Sequence, residues 1–155
     1  MSHAHIVADL EEFARSGQLG PLSIGLNRGQ VSAILGSPTD WQNEKSVDRS
    51  AIWKYGDVVL HFDDDNRLYL IHCDWFDVPV GGAALQLSPW VLRRGLPLED
   101  LENALRSATI SFSSTPDKWN PDCVRVVTPA GVSFLVCVGG EANELGLCQF
   151  GHSAA

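Results

Sequence analysis

The sequence predicts an α+β fold in which two α-βββ repeats form one antiparallel sheet, with the helices packed on one face. The first observation is that the hydrophobic period changes along the chain from helical spacing to strict alternation. The second is that GLNRGQVSAIL at 25–35 has a counterpart, GLPLEDLENAL at 95–105, seventy positions later, with the same leading Gly-Leu and apolar residues at matching positions. The third is that strand-like segments follow both stretches in the same order.

Length and composition indicate one folded domain over residues 1–155. Of the 155 residues, 45% are hydrophobic and 19% are charged, a composition far from that of disordered proteins. The formal net charge of -8 argues against binding to nucleic acid or to anionic membranes, because both require a basic surface. The same charge fits a basic protein partner.

The N-terminal segment predicts a helix over about 5–16 and no targeting signal. Four apolar residues between Val7 and Ala14 recur at helical spacing, and Gly17 follows as a stop. The segment lacks the positive and apolar regions of a secretory signal, and no apolar run approaches the ~20 residues of a membrane span. We therefore expect a cytoplasmic protein.

The first repeat is expected over about 22–76. Asn27 and Gln30 have capping-box spacing, which predicts that a helix starts there. Three alternating segments follow as strands, at 51–55, 58–62 and 68–75. Gly56-Asp57 supplies a two-residue hairpin turn between the first two, and the acidic run 63–66 supplies the turn before the third.

The second repeat is expected over about 90–151. Its helix carries apolar residues at the same positions as the first helix, and its expected strands lie at 123–127, 131–138 and 145–150. The offset between matched residues grows from seventy to seventy-seven, and it grows only across loops, where insertions cost little. This order of matched elements predicts that the chain arose by duplication.

The first repeat resembles a known family through the segments GLNRGQV, ILGSP, IWKYG, VVLHF and RLYLI. It is similar to the helix-plus-meander domain shared by SmpA/OmlA-type assembly lipoproteins and the β-lactamase inhibitor proteins. The resemblance implies a continuous sheet with helices on one face, whose other face clasps a partner protein. The chain lacks a lipobox cysteine, and the cysteine pairs that join the inhibitor's repeats have no clear counterparts here. The resemblance therefore implies a cytosolic binding scaffold, such as a bacterial immunity protein.

No motif predicts catalysis, a cofactor or a metal site, so we expect a protein that is not an enzyme. GxSxG, P-loop, GxGxxG and HExxH patterns are missing from the sequence. The run 63–66 lacks the spacing of a calcium loop and reads as a solvated turn that could steer a basic partner. His72 and Cys73 are adjacent on an expected strand, so their side chains point to opposite faces of the sheet. They therefore cannot form one metal or catalytic site together with His61.

The four cysteines are expected to be buried free thiols. They form no CxxC pair, and most of them sit in apolar strand-like runs, where a reduced cysteine behaves as a small hydrophobic residue. They are Cys73, Cys123, Cys137 and Cys148. A disulfide pair is the alternative if a secretory signal has been removed.

Aromatic and acidic side chains in the expected strands and turns are the candidate partner-binding residues, because Trp and Tyr ringed by charge are typical of interface hot spots. They are Trp41, Trp53, Tyr55, His61, Asp63, Asp64, Asp65, Tyr69, Asp74, Trp75, Asp77 and Trp119. The sequence does not fix the strand register, so Trp53 can face either the core or a partner.

The predicted function is non-catalytic protein binding. The specific hypothesis is an immunity or inhibitor protein that occludes the active site of a basic toxin or enzyme with an acidic, aromatic surface. Two alternatives stay open: a small-ligand-binding or enzymatic domain with a pocket between sheet and helices, and a structural adaptor.

Overall fold

The computed structural model describes residues 6–42 and 46–154. The helices are α1 (Leu10–Ser16), α2 (Arg28–Leu35) and α3 (Leu98–Ser107). The strands of the first half of the chain are β1 (Ile6–Asp9), β2 (Asp40–Trp41), β3 (Ile52–Tyr55), β4 (Val58–Phe62) and β5 (Leu68–Cys73). The remaining strands are β6 (Leu85–Ser88), β7 (Ser113–Pro116), β8 (Cys123–Val127), β9 (Val132–Cys137) and β10 (Gly146–Ser153).

The N-terminal helix is shorter than the sequence predicted, and residue 5 lies outside the described residues. Asp9 caps α1 by accepting a hydrogen bond from the backbone N–H of Glu11, and the helix ends at Gly17 in the left-handed conformation. The four residues before α1 instead form β1, which pairs in parallel with β6. The predicted helix start was wrong because this long-range pairing takes the apolar residues before Asp9.

Eight strands form one continuous sheet in the order β2-β3-β4-β5-β10-β9-β8-β7, and every neighbouring pair is antiparallel. The predicted α+β class and the antiparallel sheet are confirmed. All six predicted meander strands are present, and the halves of the sheet join where β5 pairs with β10. Each half also has a short edge strand, β2 or β7, that the sequence analysis did not predict.

The same order of elements occurs in both halves of the sheet, α2-β2-β3-β4-β5 and α3-β7-β8-β9-β10. Gly25 donates its backbone N–H to Leu68, and Leu68 donates to Leu26. In the second half, Gly95 donates to Leu147, and Leu147 donates to Leu96. Both glycines have positive φ angles, 101° and 81°. These shared pairings favour the duplication, which stays a prediction. They match Leu68 with Leu147, whereas the sequence offset of seventy-seven matched Leu68 with Leu145.

Helices and sheet share one hydrophobic core on one side of the sheet. Val31 and Leu35 of α2 and Leu101 and Leu105 of α3 are buried in it. The predicted capping box of α2 is confirmed: Asn27 accepts from the N–H of Gln30, whose side chain accepts from the N–H of Asn27. No helix in the described ranges is both long enough and apolar enough to cross a membrane.

The expectation of four free thiols was wrong for two of them, because Cys123 and Cys137 form a disulfide. Strand pairing is the physical reason: the two residues stand directly opposite each other on β8 and β9, a relation that requires the register. Cys73 is a free thiol buried in the core, as expected, and Cys148 is free but only half-buried.

Candidate partner-binding surface

The register settles which side chains face away from the helices. Trp53 pairs with Leu60 and Tyr55 with Val58, and this set faces the core, so Trp53 and Tyr55 are only 2% and 0% exposed. The Tyr55 hydroxyl donates to the carbonyl oxygen of Gly36 at 2.7 Å. The structure thus removes Trp53 and Tyr55 from the candidate surface, because both rings are inside the core.

The open face of the sheet carries a pair of histidines at its centre. His61 on β4 and His72 on β5 point the same way, and their Nε2 atoms lie 2.9 Å apart. The Tyr69 ring meets the His61 ring edge-on at a centroid distance of 6.0 Å. His61 and Tyr69 were predicted site residues, whereas His72 was set aside because of its position beside Cys73.

Burial lowers the pKa of both histidines. For His61 the next contribution is the positive charge of His72, which also lowers its pKa, while Asp74 opposes both effects. For His72 the cause after burial is Asp74, which raises the pKa, and then Lys54, which lowers it. The Nδ1 atom of His72 is buried without a hydrogen-bond partner, so protonating it would bury an unpaired N–H. The pair therefore favours the neutral state.

The acidic run 63–66 forms the β4–β5 turn, as predicted. Asp63 accepts backbone N–H groups from Asp65 and Arg67, and Asn66 has a φ of 61°. Asn66 also accepts hydrogen bonds from the backbone and guanidinium of Arg28. The three aspartates of this turn are exposed, as a partner-binding site requires: Asp63, Asp64 and Asp65. The turn precedes β5, so it lies at the opposite end of the sheet from Asp74, Trp75 and Asp77, which follow β5.

Large exposed apolar side chains collect at that second end of the sheet. The described part of the chain has nine exposed large hydrophobic residues, and three lie elsewhere: Val7, Trp41 and Tyr69. The other six follow β5, precede β8, follow β9 or precede β10. Because neighbouring strands are antiparallel, these positions all lie at the same end of the sheet. This surface, here called the tryptophan end, consists of Trp75, Val78, Val80, Trp119, Val138 and Leu145.

Trp75 is held on a segment fixed on both sides. It is 76% exposed, and the guanidinium of Arg94 lies 5.6 Å from its ring centroid. The next residue, Phe76, is buried with its ring 5.3 Å from that of Phe150. Asp57 then bonds Val80 twice, donating its backbone N–H and accepting at its carboxylate. Trp75 is thus presented to solvent by an ordered segment.

Trp119 is presented by a second ordered segment, and it is 83% exposed. Asp117 is buried, accepts the backbone N–H groups of Trp119 and Asn120, and forms a 2.9 Å ion pair with Arg125. The hydrogen bond from Arg125 lowers the pKa of Asp117. Lys118 lies over the Trp119 ring at 5.3 Å. The hydrogen bonds that hold this turn should persist at every pH at which the Asp117 carboxylate is ionised.

The two tryptophan segments are joined by the strand ends between them. The carbonyl oxygen of Asp122 accepts from Val138 and Gly139, which ties the Trp119 segment to the end of β9. A groove lined by Asp77, Arg94 and Leu145 connects the start of β10 to the Trp75 segment. Exposed carboxylates stand along this edge, namely Asp74, Asp77, Asp122, Glu141 and Glu144.

The predicted site residues therefore separate into four places. Asp74, Trp75, Asp77 and Trp119 lie at the tryptophan end. His61 and Tyr69 lie on the open face, the three aspartates at the opposite turn, and Trp41 on edge strand β2 beside Trp53. Four residues of the tryptophan end were not predicted: Val78, Val80, Val138 and Leu145. They lie outside the strands, and the sequence does not show which loops meet at the same end of the sheet.

The fold and this surface define an α+β protein whose two most exposed tryptophans, Trp75 and Trp119, lie at one end of an eight-stranded antiparallel sheet. Among the described residues, no group of three or more His, Cys, Asp or Glu side chains is arranged to hold a metal ion. Comparison with protein-family models, with curated proteins and with solved structures gives no match.

Proposed function

We propose that this protein is a non-catalytic binding module of the inhibitor or immunity type, and that the tryptophan end binds its protein partner. The observation that carries the proposal is the placement of six of the nine exposed large hydrophobic residues of the described chain at one edge. Patches of this kind on a small protein mark interaction sites. The resemblance to a clasping inhibitor scaffold supports the same class of function.

The two tryptophans have the properties expected of binding hot spots. Each is more than three-quarters exposed, yet each stands on a segment fixed by buried side chains or backbone hydrogen bonds. Little conformational freedom is lost when such a ring becomes buried, so more of the interaction energy remains as affinity. Their parent strands, β5 and β8, are three strand intervals apart, about 14 Å. One protein domain can cover both rings.

Charge points to a basic partner. The chain has a formal net charge of -8, and exposed carboxylates line the same edge as the tryptophans. Such a field speeds association with a cationic protein and suppresses binding to acidic ones. A cationic toxin or enzyme made by the same organism is the partner that this combination fits best.

The experiment is co-purification of the chain with the product of the adjacent gene, together with a co-expression assay for protection. Trp75→Ala and Trp119→Ala should each weaken binding by 2 kcal/mol or more, roughly 30-fold, and should reduce protection. Val7→Ala is the matched control, because Val7 is 59% exposed and lies away from this edge. Each variant's thermal unfolding is measured first.

Charge reversal tests the electrostatic part separately. Asp74→Lys combined with Asp77→Lys should slow association and flatten its salt dependence, with a smaller effect on dissociation. Binding by both tryptophan variants with unchanged affinity, in folded protein, would overturn the proposed surface. A pair of proteins that neither co-purify nor give protection would overturn the inhibitor function.

A further inference from the structure

Three of the four cysteines meet at one point on the open face of the sheet. Cys137 on β9 is disulfide-bonded to Cys123 on β8, and its Sγ lies 3.7 Å from the Sγ of Cys148 on β10. Cys137 therefore has one sulfur partner by covalent bond and a second at van der Waals distance. Cys73 faces the core on the other side of the sheet and is not part of this group.

A β-bulge brings Cys148 to this position. The register of β10 against β9 shifts between Leu147 and Gln149, so Cys148 is the extra residue of the bulge. Leu147 before it points into the core, which leaves Cys148 on the open face beside Cys137. Bulges redirect single side chains in this way and are frequent at functional positions.

We propose that Cys123, Cys137 and Cys148 form a thiol–disulfide exchange site. The Cys148 thiolate attacks the Sγ of Cys137, a bond forms between these two sulfurs, and the Cys123–Cys137 bond breaks. Cys123 leaves as a thiolate and takes up the proton that Cys148 gave away. One disulfide and one thiol are present before and after, so the step needs no oxidant or reductant. The reverse step restores the starting pair.

Burial and nearby charges set the pKa of the Cys148 thiol, and this pKa limits the rate of the attack near neutral pH. Burial raises the pKa of the Cys148 thiol, and Asp117 adds to this, whereas the guanidinium groups of Arg94 and Arg125 lower it. The thiolate is the attacking species, so exchange should become faster as pH rises towards that pKa. Cys148 is half-buried, so its sulfur is also within reach of a small thiol from solvent, whereas Cys123 is only 1% exposed.

Exchange would move a covalent tether from one strand to another. In the Cys123–Cys137 state, the segment that ends in Cys123 is tied to β9. In the Cys137–Cys148 state, β9 is tied to the start of β10 and Cys123 becomes a free thiol. Both strand ends belong to the tryptophan end, but the exchange does not depend on what that surface binds.

Peptide mapping of the full chain under non-reducing conditions tests the proposal directly. The protein is held at pH 8, quenched in acid, blocked with N-ethylmaleimide and digested with trypsin. Cleavage after Lys118 and Arg125 releases residues 119–125, with Cys123, and residues 126–155, with both other cysteines. The Cys123–Cys137 state links the two peptides. The exchanged state leaves 126–155 internally bridged and 119–125 carrying the maleimide.

Wild-type protein should give both patterns, and Cys73→Ala should leave their ratio unchanged. Cys148→Ser should give only the linked peptides. Cys123→Ser and Cys148→Ser are also each placed in a buffer of reduced and oxidised glutathione at pH 8, where Cys123→Ser should close the Cys137–Cys148 bond. The proposal is overturned if wild type gives linked peptides alone, or if Cys137 and Cys148 of Cys123→Ser both stay free thiols in that buffer while Cys148→Ser forms its Cys123–Cys137 disulfide. The wild-type arm needs no substitution, so a variant that fails to fold leaves the test intact.

Discussion

At the scale of single residues, the neutral histidine pair links stability to pH. The pKa values of His61 and His72 are lowered in the folded state, chiefly by burial, so the unfolded chain takes up protons first as pH falls. Above the ordinary histidine pKa both states are neutral and the pair has no effect. We therefore expect stability to fall as pH drops below about 6.5, the unfolded-state value.

Urea unfolding at pH 7.5 and pH 5 measures this effect. His61→Gln and His72→Gln should each reduce the loss of unfolding free energy between the two pH values, because each removes one of the groups that the unfolded state protonates first. Equal pH dependence in wild type and in both variants would contradict the link between this pair and stability.

Tyr55 and Tyr69 provide a matched test of where the sequence-predicted aromatic residues act. Tyr55→Phe should lower the free energy of unfolding by about 1–2 kcal/mol, because the hydrogen bond from the buried Tyr55 side chain to the Gly36 carbonyl oxygen is lost. Tyr69 is exposed, so Tyr69→Phe should change it by less than about 0.5 kcal/mol. Chemical denaturation followed by circular dichroism distinguishes these outcomes, and equal effects would contradict a core role for Tyr55.

The residues that sequence reasoning placed wrongly share one cause. Alternation showed that Trp53 and Tyr55 share one face of β3, but it could not say which face, because that depends on pairing with β4. The same missing register hid the opposition of Cys123 and Cys137. Local chemistry was predictable, as the capping pair Asn27 and Gln30 shows, since it depends on neighbours in the chain.

At the scale of elements, the β3–β4 turn holds one side of the tryptophan end. Gly56 has a φ of 60°, and a Cβ there would collide with the backbone of Val80 and Gly82. Gly25 also has a positive φ, but a Cβ there would meet no atom within 4 Å. Gly25→Ala should lower the free energy of unfolding by ~1 kcal/mol, because alanine is strained in the left-handed region. Gly56→Ala should lower it clearly more, because the collision adds to that strain.

Thermal unfolding measures both costs, and binding to the partner measures the displacement of Val78 and Val80. We expect Gly56→Ala to weaken binding and Gly25→Ala to leave it unchanged in folded protein. Similar stability losses in the two variants would show that the turn and the 80–82 segment do not constrain each other.

The elements themselves were largely predictable from hydrophobic period, because helix α2 and the six meander strands carry clear patterns. The exceptions depend on distant partners. Strand β1 exists because it pairs with β6, almost eighty residues away, and its apolar residues fit a helical pattern equally well. Edge strands β2 and β7 contain few apolar residues, so only their pairing with β3 and β8 defines them.

At the scale of the whole molecule, the sheet and the hydrophobic core are continuous across the two halves of the chain. Strand β10 lies between β5 and β9, so the sheet has no seam, and the described core residues of both halves form one cluster. Ile71 in the first half and Ile110 in the second are both buried in that cluster. Unfolding should therefore be a single transition that either residue can shift.

Calorimetry of Ile71→Val and Ile110→Val tests this expectation with the same chemical change in each half. Each variant should lose about 1 kcal/mol and lower the midpoint of the one transition by about 2–4 °C, with the calorimetric and van't Hoff enthalpies equal. Val7→Ala, at an exposed position, should leave the midpoint unchanged. Two transitions, each moved by only one substitution, would show that the two halves fold independently. The tryptophan end draws on strand ends from both halves, so its shape would then depend on how the two units dock.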